Sequence, residues 1–212
     1  MLQDLIMSGQ DVVLESDDGG TFDAYLVASQ DTPALGIVLL QEIFGVNAVM
    51  RRQADELAGA GFMVIVPDLF WRQQPRVQLD PAIPGDRDTA MRLLEGLDEA
   101  MAIADASKCM RYLRKARGCN GKVAALGFCL GGRLAFLMAA RTNIDAAVSF
   151  YGTGLDKAAH EAATIGSPVL LHIAEQDRVC PPEAQRAILR VHIPAHGDQG
   201  FHDDVNADSS RT

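Results

Sequence analysis

The chain has 212 residues, 48% of them hydrophobic and 22% charged, which is enough apolar material to form one folded domain and excludes disorder as its main state. Its 28 acidic and 19 basic side chains give a net charge of −9. Because an acidic chain without a cluster of basic residues has little to neutralise phosphates, nucleic acid and anionic membrane surfaces are not expected partners. A small molecule is the expected partner.

The chain also lacks the sequence signals of membrane insertion, secretion and metal binding. No apolar run reaches the roughly 20 residues that cross a bilayer, and the first four residues lack the basic start of a signal peptide. The four cysteines form no CxxC pair, so we expect reduced thiols rather than a zinc site or disulfides. The sequence therefore predicts a cytoplasmic protein with no metal and no organic cofactor.

Strand and helix patterns alternate along the chain. Residues 11–27 predict a β-hairpin around a turn at 17–20. The predicted elements that follow are strand 36–40, a helix capped by Asn47 and ended by Gly61, strand 62–66, helix 86–116, strand 122–126, helix 130–140, strands 146–151 and 168–173, and a short helix from Pro182. This alternation predicts an α/β fold with a mostly parallel sheet and helices on both faces.

Residues 72–85, which include three prolines, form the one long segment without periodicity. The segment follows a strand end, where α/β folds place their ligands. It is either part of a binding site or a surface loop.

The segment GFCLGG at 127–132 follows a predicted strand and opens a helix. This is the context of a nucleophile elbow, in which flanking glycines allow a sharp turn that exposes the central side chain. The amide of Leu130 would face a developing oxyanion, and the helix N-terminus would favour a Cys129 thiolate. The alternative is a buried Cys129 whose neighbouring glycines only allow close packing of helix on strand.

Two carboxylates follow other predicted strands. Asp177 leaves the strand 168–173 and is the expected orienting acid, with a turn-forming or helix-capping role as the alternative. Glu42 directly follows a buried strand beside the predicted elbow, where either a functional or a solvated carboxylate is possible. The amide of Ile43 is the expected second oxyanion donor.

The motifs QEIFGVN at 41–47, PDLF at 67–70, GFCLGG at 127–132, YG at 151–152 and QD at 176–177 together resemble the dienelactone hydrolase family, the carboxymethylenebutenolidases of the α/β-hydrolase fold. The resemblance covers residues 8–189 of an expected single domain, 1–212. It implies that Cys129 is the nucleophile and Asp177 the triad acid, while Glu42 pairs with the resting cysteine and helps to activate it. Arg87 falls at the family position that binds a substrate carboxylate, although on its own it would be an ordinary surface residue.

The C-terminal residues 190–212 diverge from the family pattern. Matching Gly200 and Phe201 to the family places Gln199 where the triad histidine is expected, and the closing C-terminal helix is missing from the pattern. A glutamine cannot act as a base near neutral pH, so the base is His202, His196 or no histidine, with His202 favoured. Other histidines are expected at the surface (His160 and His192) or in the core (His172).

The predicted reaction is hydrolysis of an ester or lactone, of the dienelactone type, through a cysteinyl acyl-enzyme. The substrate would be a small ester or lactone that bears a carboxylate. A general carboxylesterase or thioesterase is an alternative. A non-catalytic relative that binds a ligand through a site with an impaired triad is another.

Overall fold

A computed structural model describes residues 9–190, and within this range the fold is built on one sheet of seven strands. In chain order the strands are β1 (Gln10–Glu15), β2 (Thr21–Val27), β3 (Ala34–Leu40), β4 (Phe62–Pro67), β5 (Cys119–Phe128), β6 (Ala146–Phe150) and β7 (Val169–His172). Their spatial order is β1-β2-β4-β3-β5-β6-β7. The pairings β1–β2 and β2–β4 are antiparallel, and the remaining four are parallel. The hairpin and the mostly parallel sheet are confirmed.

Helices connect the parallel strands. They are α1 (Ala48–Gly59), α2 (Asp86–Glu95), α3 (Glu99–Lys115), α4 (Leu130–Arg141), α5 (Leu155–Ala158) and α6 (Pro182–Leu189), with a 3-10 helix at Ala159–Thr164 after α5. Asn47 caps α1 as predicted, because its side-chain oxygen accepts hydrogen bonds from the amides of Val49 and Met50, both at 3.1 Å. Among residues 9–190, no helix is long and apolar enough to span a membrane.

The single helix predicted for 86–116 is wrong, because the structure divides it into α2 and α3. Gly96 ends α2, and the Asp98 side chain starts α3 by accepting a hydrogen bond from the Met101 amide at 3.0 Å. A helix-ending glycine followed by a capping aspartate is a local signal for such a break. The break lets α3 pack along β3 and β5 independently of α2.

The sheet is buried on both faces at its centre, which explains the continuous apolar run of β3. Ile37 and Leu39 pack with α1 on one face, whereas Val38 and Leu40 pack with α3 and α4 on the other. All four side chains are at most 4% exposed. A strand covered on both faces has no polar side to alternate with its apolar side.

The β7 edge of the sheet is much less covered. Leu170 is 53% exposed, and the ring of His172 lies exposed against Phe150, with the ring centroids 4.3 Å apart. The expected core position of His172 is therefore wrong, since β7 is the outermost of the described strands and its residues alternate between half-buried and exposed. The predicted lack of a C-terminal helix concerns residues outside the described range.

Candidate active site

Glu42 and Cys129 lie at the same level of one sheet edge. The parallel strands β3 and β5 are neighbours, and Leu40 pairs with Gly127 in their register. Glu42 and Cys129 each lie two residues beyond that pair, at the carboxyl ends of their strands. The topology therefore brings the predicted nucleophile and the predicted activating carboxylate together.

Cys129 occupies a strained turn between β5 and α4. Its φ of 54° and ψ of −116° are rare for a residue with a side chain. The Cys129 amide donates to the Phe150 carbonyl at 3.0 Å, and its carbonyl accepts from the amides of Arg133 at 3.1 Å and Thr153 at 3.2 Å. These bonds to α4 and to the β6 end hold the nucleophile-elbow geometry that the sequence predicted.

The elbow glycines are required by close backbone approach. A Cβ on Gly127 would overlap the carbonyl of Gly131, and a Cβ on Gly131 would overlap the carbonyl of Leu40. The start of α4 can therefore pack directly against the ends of β5 and β3. The same packing places the α4 N-terminus beside Glu42.

The thiol of Cys129 is half-buried, and its surroundings favour the protonated form. Burial raises the pKa of Cys129 above its ordinary value, and the charges of Glu42 and Asp177 raise it further. A hydrogen bond from the Leu130 amide and the charge of Arg87 act in the opposite direction but do not outweigh these effects. The Leu130 amide at the helix N-terminus favours the thiolate as expected, but burial and the neighbouring carboxylates outweigh it.

Glu42 is half-buried, and burial alone raises the pKa of its carboxyl group. Its side chain has no ion-pair partner among residues 9–190. A carboxylate with a raised pKa is a stronger proton acceptor than one in water. Its chemistry therefore suits transient acceptance of a proton from the nearby thiol.

Two backbone amides at this edge of the sheet are candidate oxyanion donors. The Leu130 amide is at the first residue of α4 and is directed to the thiol. The Ile43 amide follows β3 and, within the described part of the chain, donates no hydrogen bond. A pair of amides from these two positions is the usual composition of an oxyanion hole in this type of fold.

The two remaining predicted site residues in the described range are Arg87 and Asp177. Arg87 is exposed in the first turn of α2, and Asp177 is half-buried in the turn after β7, where its carboxylate accepts from the Val179 amide at 2.7 Å. Both charges act on the Cys129 thiol. Asp177 therefore forms a turn, as its alternative interpretation proposed, and also lies within electrostatic range of Cys129.

Segment 72–85 is fixed to the body of the protein at its start and in its middle. Arg72 pairs with the fully buried carboxylate of Asp105 at 2.6 Å, and the Trp71 indole donates to the same carboxylate at 2.9 Å. Further along, Gln78 forms a β-bridge with Gly45. Because Gly45 belongs to the loop that carries Glu42, the segment is anchored to the site's own backbone.

The histidine candidates for the base, His202 and His196, lie outside the described residues, as do Gln199 and His192. His160 is exposed, as expected, and its ring lies 3.0 Å from the Lys157 carbonyl. Across residues 9–190, no group of three or more metal-ligating side chains comes together.

Tyr151 is the residue whose position sequence reasoning did not interpret. It lies one residue beyond Phe150, which pairs with Phe128 in the register of β5 and β6, so it is level with Cys129. Its φ of 40° is, like that of Cys129, in the left-handed region. The YG motif was visible in the sequence, but the level position of Tyr151 and Cys129 depends on β6 being the neighbour of β5, which one sequence does not reveal.

A family model, similar sequences and a similar solved structure all relate the chain to one family. Residues 22–198 match the model of the dienelactone hydrolase family. The chain is 37% identical to carboxymethylenebutenolidase 1 of Cupriavidus pinatubonensis over 92% of its own length and 83% of that protein, and 38% identical to a carboxymethylenebutenolidase of Pseudomonas putida over 86% and 77%. A dienelactone hydrolase-like promiscuous phosphotriesterase from metagenomic libraries superposes with a TM-score of 0.68 at 25% identity, covering 86% of this chain and 75% of that one.

Proposed function

Because the chain belongs to the dienelactone hydrolase family and is an ester and lactone hydrolase, we propose that it acts through a cysteinyl acyl-enzyme on Cys129. The observation that carries the proposal is the elbow, where Cys129 stands at positive φ between two glycines that close packing requires. Covalent catalysis requires a nucleophile in a fixed position, and the elbow fixes Cys129 at the carboxyl ends of the parallel strands.

In the proposed reaction the thiol loses its proton as the substrate binds, and the sulfur attacks the carbonyl carbon. The amides of Leu130 and Ile43 hold the oxyanion. When the tetrahedral intermediate collapses, the carbon–oxygen bond breaks and the acyl group remains on Cys129. Water then releases the acid product and restores the thiol.

Glu42 and the triad base share the proton transfers. Since Cys129 is protonated at rest and Glu42 has a raised pKa, a shift of that carboxylate toward the thiol on substrate binding would activate the nucleophile. Asp177 orients the histidine that activates water, and we assign that role to His202. Gln199 at the family's histidine position is what makes this assignment specific to the present chain.

The proposed substrate class is an ester or lactone that bears a carboxylate. Arg87 supports this class, because it is exposed beside the site and forms no ion pair with any other residue of the range 9–190. A free guanidinium in an otherwise acidic protein is a natural partner for a substrate carboxylate.

Pre-steady-state kinetics with a chromogenic ester tests the two-step reaction. The wild type should release a burst of product and then turn over, whereas His202→Ala should keep the burst and lose about 10²- to 10⁴-fold in steady-state turnover. His196→Ala is the matched control and should change neither phase. Gln199→His should raise turnover by supplying a base at the family position. Full turnover in His202→Ala, or no burst in the wild type, would contradict the proposal.

A further inference from the structure

We propose that Tyr151 is a further catalytic residue, whose phenol donates a hydrogen bond to the oxygen that leaves the ester or lactone. The inference rests on the proposed attack by Cys129. It assigns a donor for the departing oxygen, separate from the two amides that hold the oxyanion.

The backbone on both sides of Tyr151 is tied to Cys129. The carbonyl of Phe150 accepts from the Cys129 amide at 3.0 Å, and the Thr153 amide donates to the Cys129 carbonyl at 3.2 Å. The Tyr151 amide itself donates to the His172 carbonyl on β7 at 2.8 Å. Tyr151 is therefore held between the nucleophile and the next strand.

The conformation of Tyr151 is strained. Among residues 9–190 only three non-glycine residues have a positive φ, namely Arg76, Cys129 and Tyr151. Backbone strain of this kind persists where the surroundings enforce it and is concentrated at functional sites. One of the three is the proposed nucleophile Cys129, and the residues that flank Tyr151, Phe150 and Thr153, hydrogen-bond to it.

The topology places Tyr151 on the opposite side of Cys129 from the Ile43 amide. In the order β3-β5-β6, Cys129 follows the central strand, Ile43 follows one neighbour and Tyr151 follows the other. When the sulfur attacks a carbonyl whose oxygen lies toward the Ile43 and Leu130 amides, the other substituents of that carbon point away from β3. A departing oxygen on the β6 side of that carbon lies toward Tyr151.

The Tyr151 phenol is suited to donate there. The residue is 39% exposed, and its hydroxyl has no hydrogen-bond partner among the described residues. Burial, followed by the charges of Glu42 and Cys129, raises the pKa of Tyr151 above its ordinary value, so the hydroxyl keeps its proton at neutral pH. It can therefore donate but does not compete as a nucleophile.

The step needs no additional reagent. As the carbon–oxygen bond breaks, its electron pair stays on the departing oxygen, and the phenol stabilises the negative charge through a hydrogen bond without losing its proton. The proton that Glu42 accepted from the thiol passes to the released alkoxide or enolate, which restores the Glu42 carboxylate. The benefit grows with the charge on the departing oxygen and is thus largest for poor leaving groups.

Leaving-group dependence tests this role. We compare kcat/KM for phenyl acetate and 4-nitrophenyl acetate, which form the same acetyl-enzyme but differ in the stability of the departing phenolate. Tyr151→Phe should reduce kcat/KM about 10- to 100-fold for phenyl acetate and less than about threefold for 4-nitrophenyl acetate. Tyr112→Phe is the matched control, because Tyr112 is also 39% exposed but lies on α3, and it should leave both values unchanged.

The ratio of the two rates does not depend on the fraction of variant that folds. An equal loss on both esters would overturn the inference and assign Tyr151 a structural role, and so would no loss on either. These outcomes leave the proposed function intact as long as the wild type hydrolyses the esters and Cys129→Ala does not. A Cys129→Ala variant as active as the wild type would overturn the proposed function itself.

Discussion

The elbow at residues 127–132 and the turn at residues 174–180 both carry predicted members of the triad, yet the elbow backbone is held by many more contacts than the turn backbone. Around Cys129, three backbone hydrogen bonds and two glycine contacts fix the main chain, and most of the side chains that α4 contributes are buried. The turn has less support. Asp177 binds one amide, and the Gln185 side chain donates to three carbonyls, of which the Cys180 carbonyl at 2.8 Å is the nearest.

This contrast separates two contributions of the site residues. At the elbow, fold stability and catalytic geometry depend on the same contacts, so a change there affects both. In the turn and at the start of α2, the charged side chains of Asp177 and Arg87 act on the thiol but pack against little of the protein. A change at either residue should therefore affect activity alone. Variants at the elbow, in the turn and on α2 therefore distinguish the two contributions.

The largest effect is expected for Gly131→Ala. The added methyl group would overlap the Leu40 carbonyl, and backbone at this junction cannot move without disturbing α4, so the free energy of unfolding should fall by about 3 kcal/mol and activity should be lost. Gly59→Ala is the control, because a Cβ there meets no atom within 4 Å, and it should stabilise α1 by up to about 1 kcal/mol. Denaturant unfolding measures both, and an unaffected Gly131→Ala would contradict the packing account.

Asp177→Asn should reduce kcat/KM about 10²- to 10⁴-fold, because the neutral amide no longer stabilises a charged histidine. Stability should change by less than about 1 kcal/mol, since the amide oxygen can still accept from Val179. Asp156→Asn is the matched control. The charges of Asp156 and Asp177 both raise the pKa of Cys180, and that of Asp177 is also one cause of the raised pKa of Cys129. A large loss of stability in Asp177→Asn would show that the turn is as tightly integrated as the elbow.

Arg87→Ala should reduce the preference for acidic over neutral esters by about 10- to 150-fold, the value of a charge-assisted contact with a carboxylate. Arg92→Ala is the control, because Arg92 is exposed on the same helix and its guanidinium binds Thr89. The measurement is the ratio of kcat/KM for a matched pair of esters with and without a carboxylate. An unchanged ratio would remove Arg87 from substrate recognition.

The smallest effect concerns the pH dependence of the thiol. Alkylation by iodoacetamide requires the thiolate, so its rate rises with pH through the raised pKa of Cys129. Glu42→Gln removes a negative charge that raises this pKa, which should move the profile to lower pH and increase the rate at pH 7 severalfold. Arg87→Ala should move it the other way, and Glu56→Gln, on the exposed face of α1, should leave it unchanged. A shift of Glu42→Gln to higher pH would reverse the assigned electrostatics.

Local sequence signals were sufficient where the structure depends on neighbours along the chain. The hairpin, the Asn47 cap and the elbow all follow from a few adjacent residues whose steric needs are specific. The break between α2 and α3 had such a signal as well, at Gly96 and Asp98, but the continued apolar periodicity on either side obscured it.

Features that depend on distant residues could not be predicted. The ion pair of Arg72 with the buried carboxylate of Asp105 joins residues 33 positions apart, and Tyr151 is level with Cys129 only because β6 lies beside β5. The exposure of His172 likewise follows from the position of β7 in the sheet order. The sequence of one chain does not state the order of the strands in the sheet. These features therefore become visible only in the three-dimensional structure.

The central claim, that Cys129 becomes acylated, is tested most directly by intact-mass analysis and peptide mapping after acid quench of the enzyme with a slow ester. The account predicts one acyl group per chain on the peptide that contains Cys129, and no adduct in Cys129→Ala. The buried Cys109 and Cys180, whose pKa values are both raised, should remain unmodified. An adduct on Cys180 alone, or full hydrolysis by Cys129→Ala, would contradict the account.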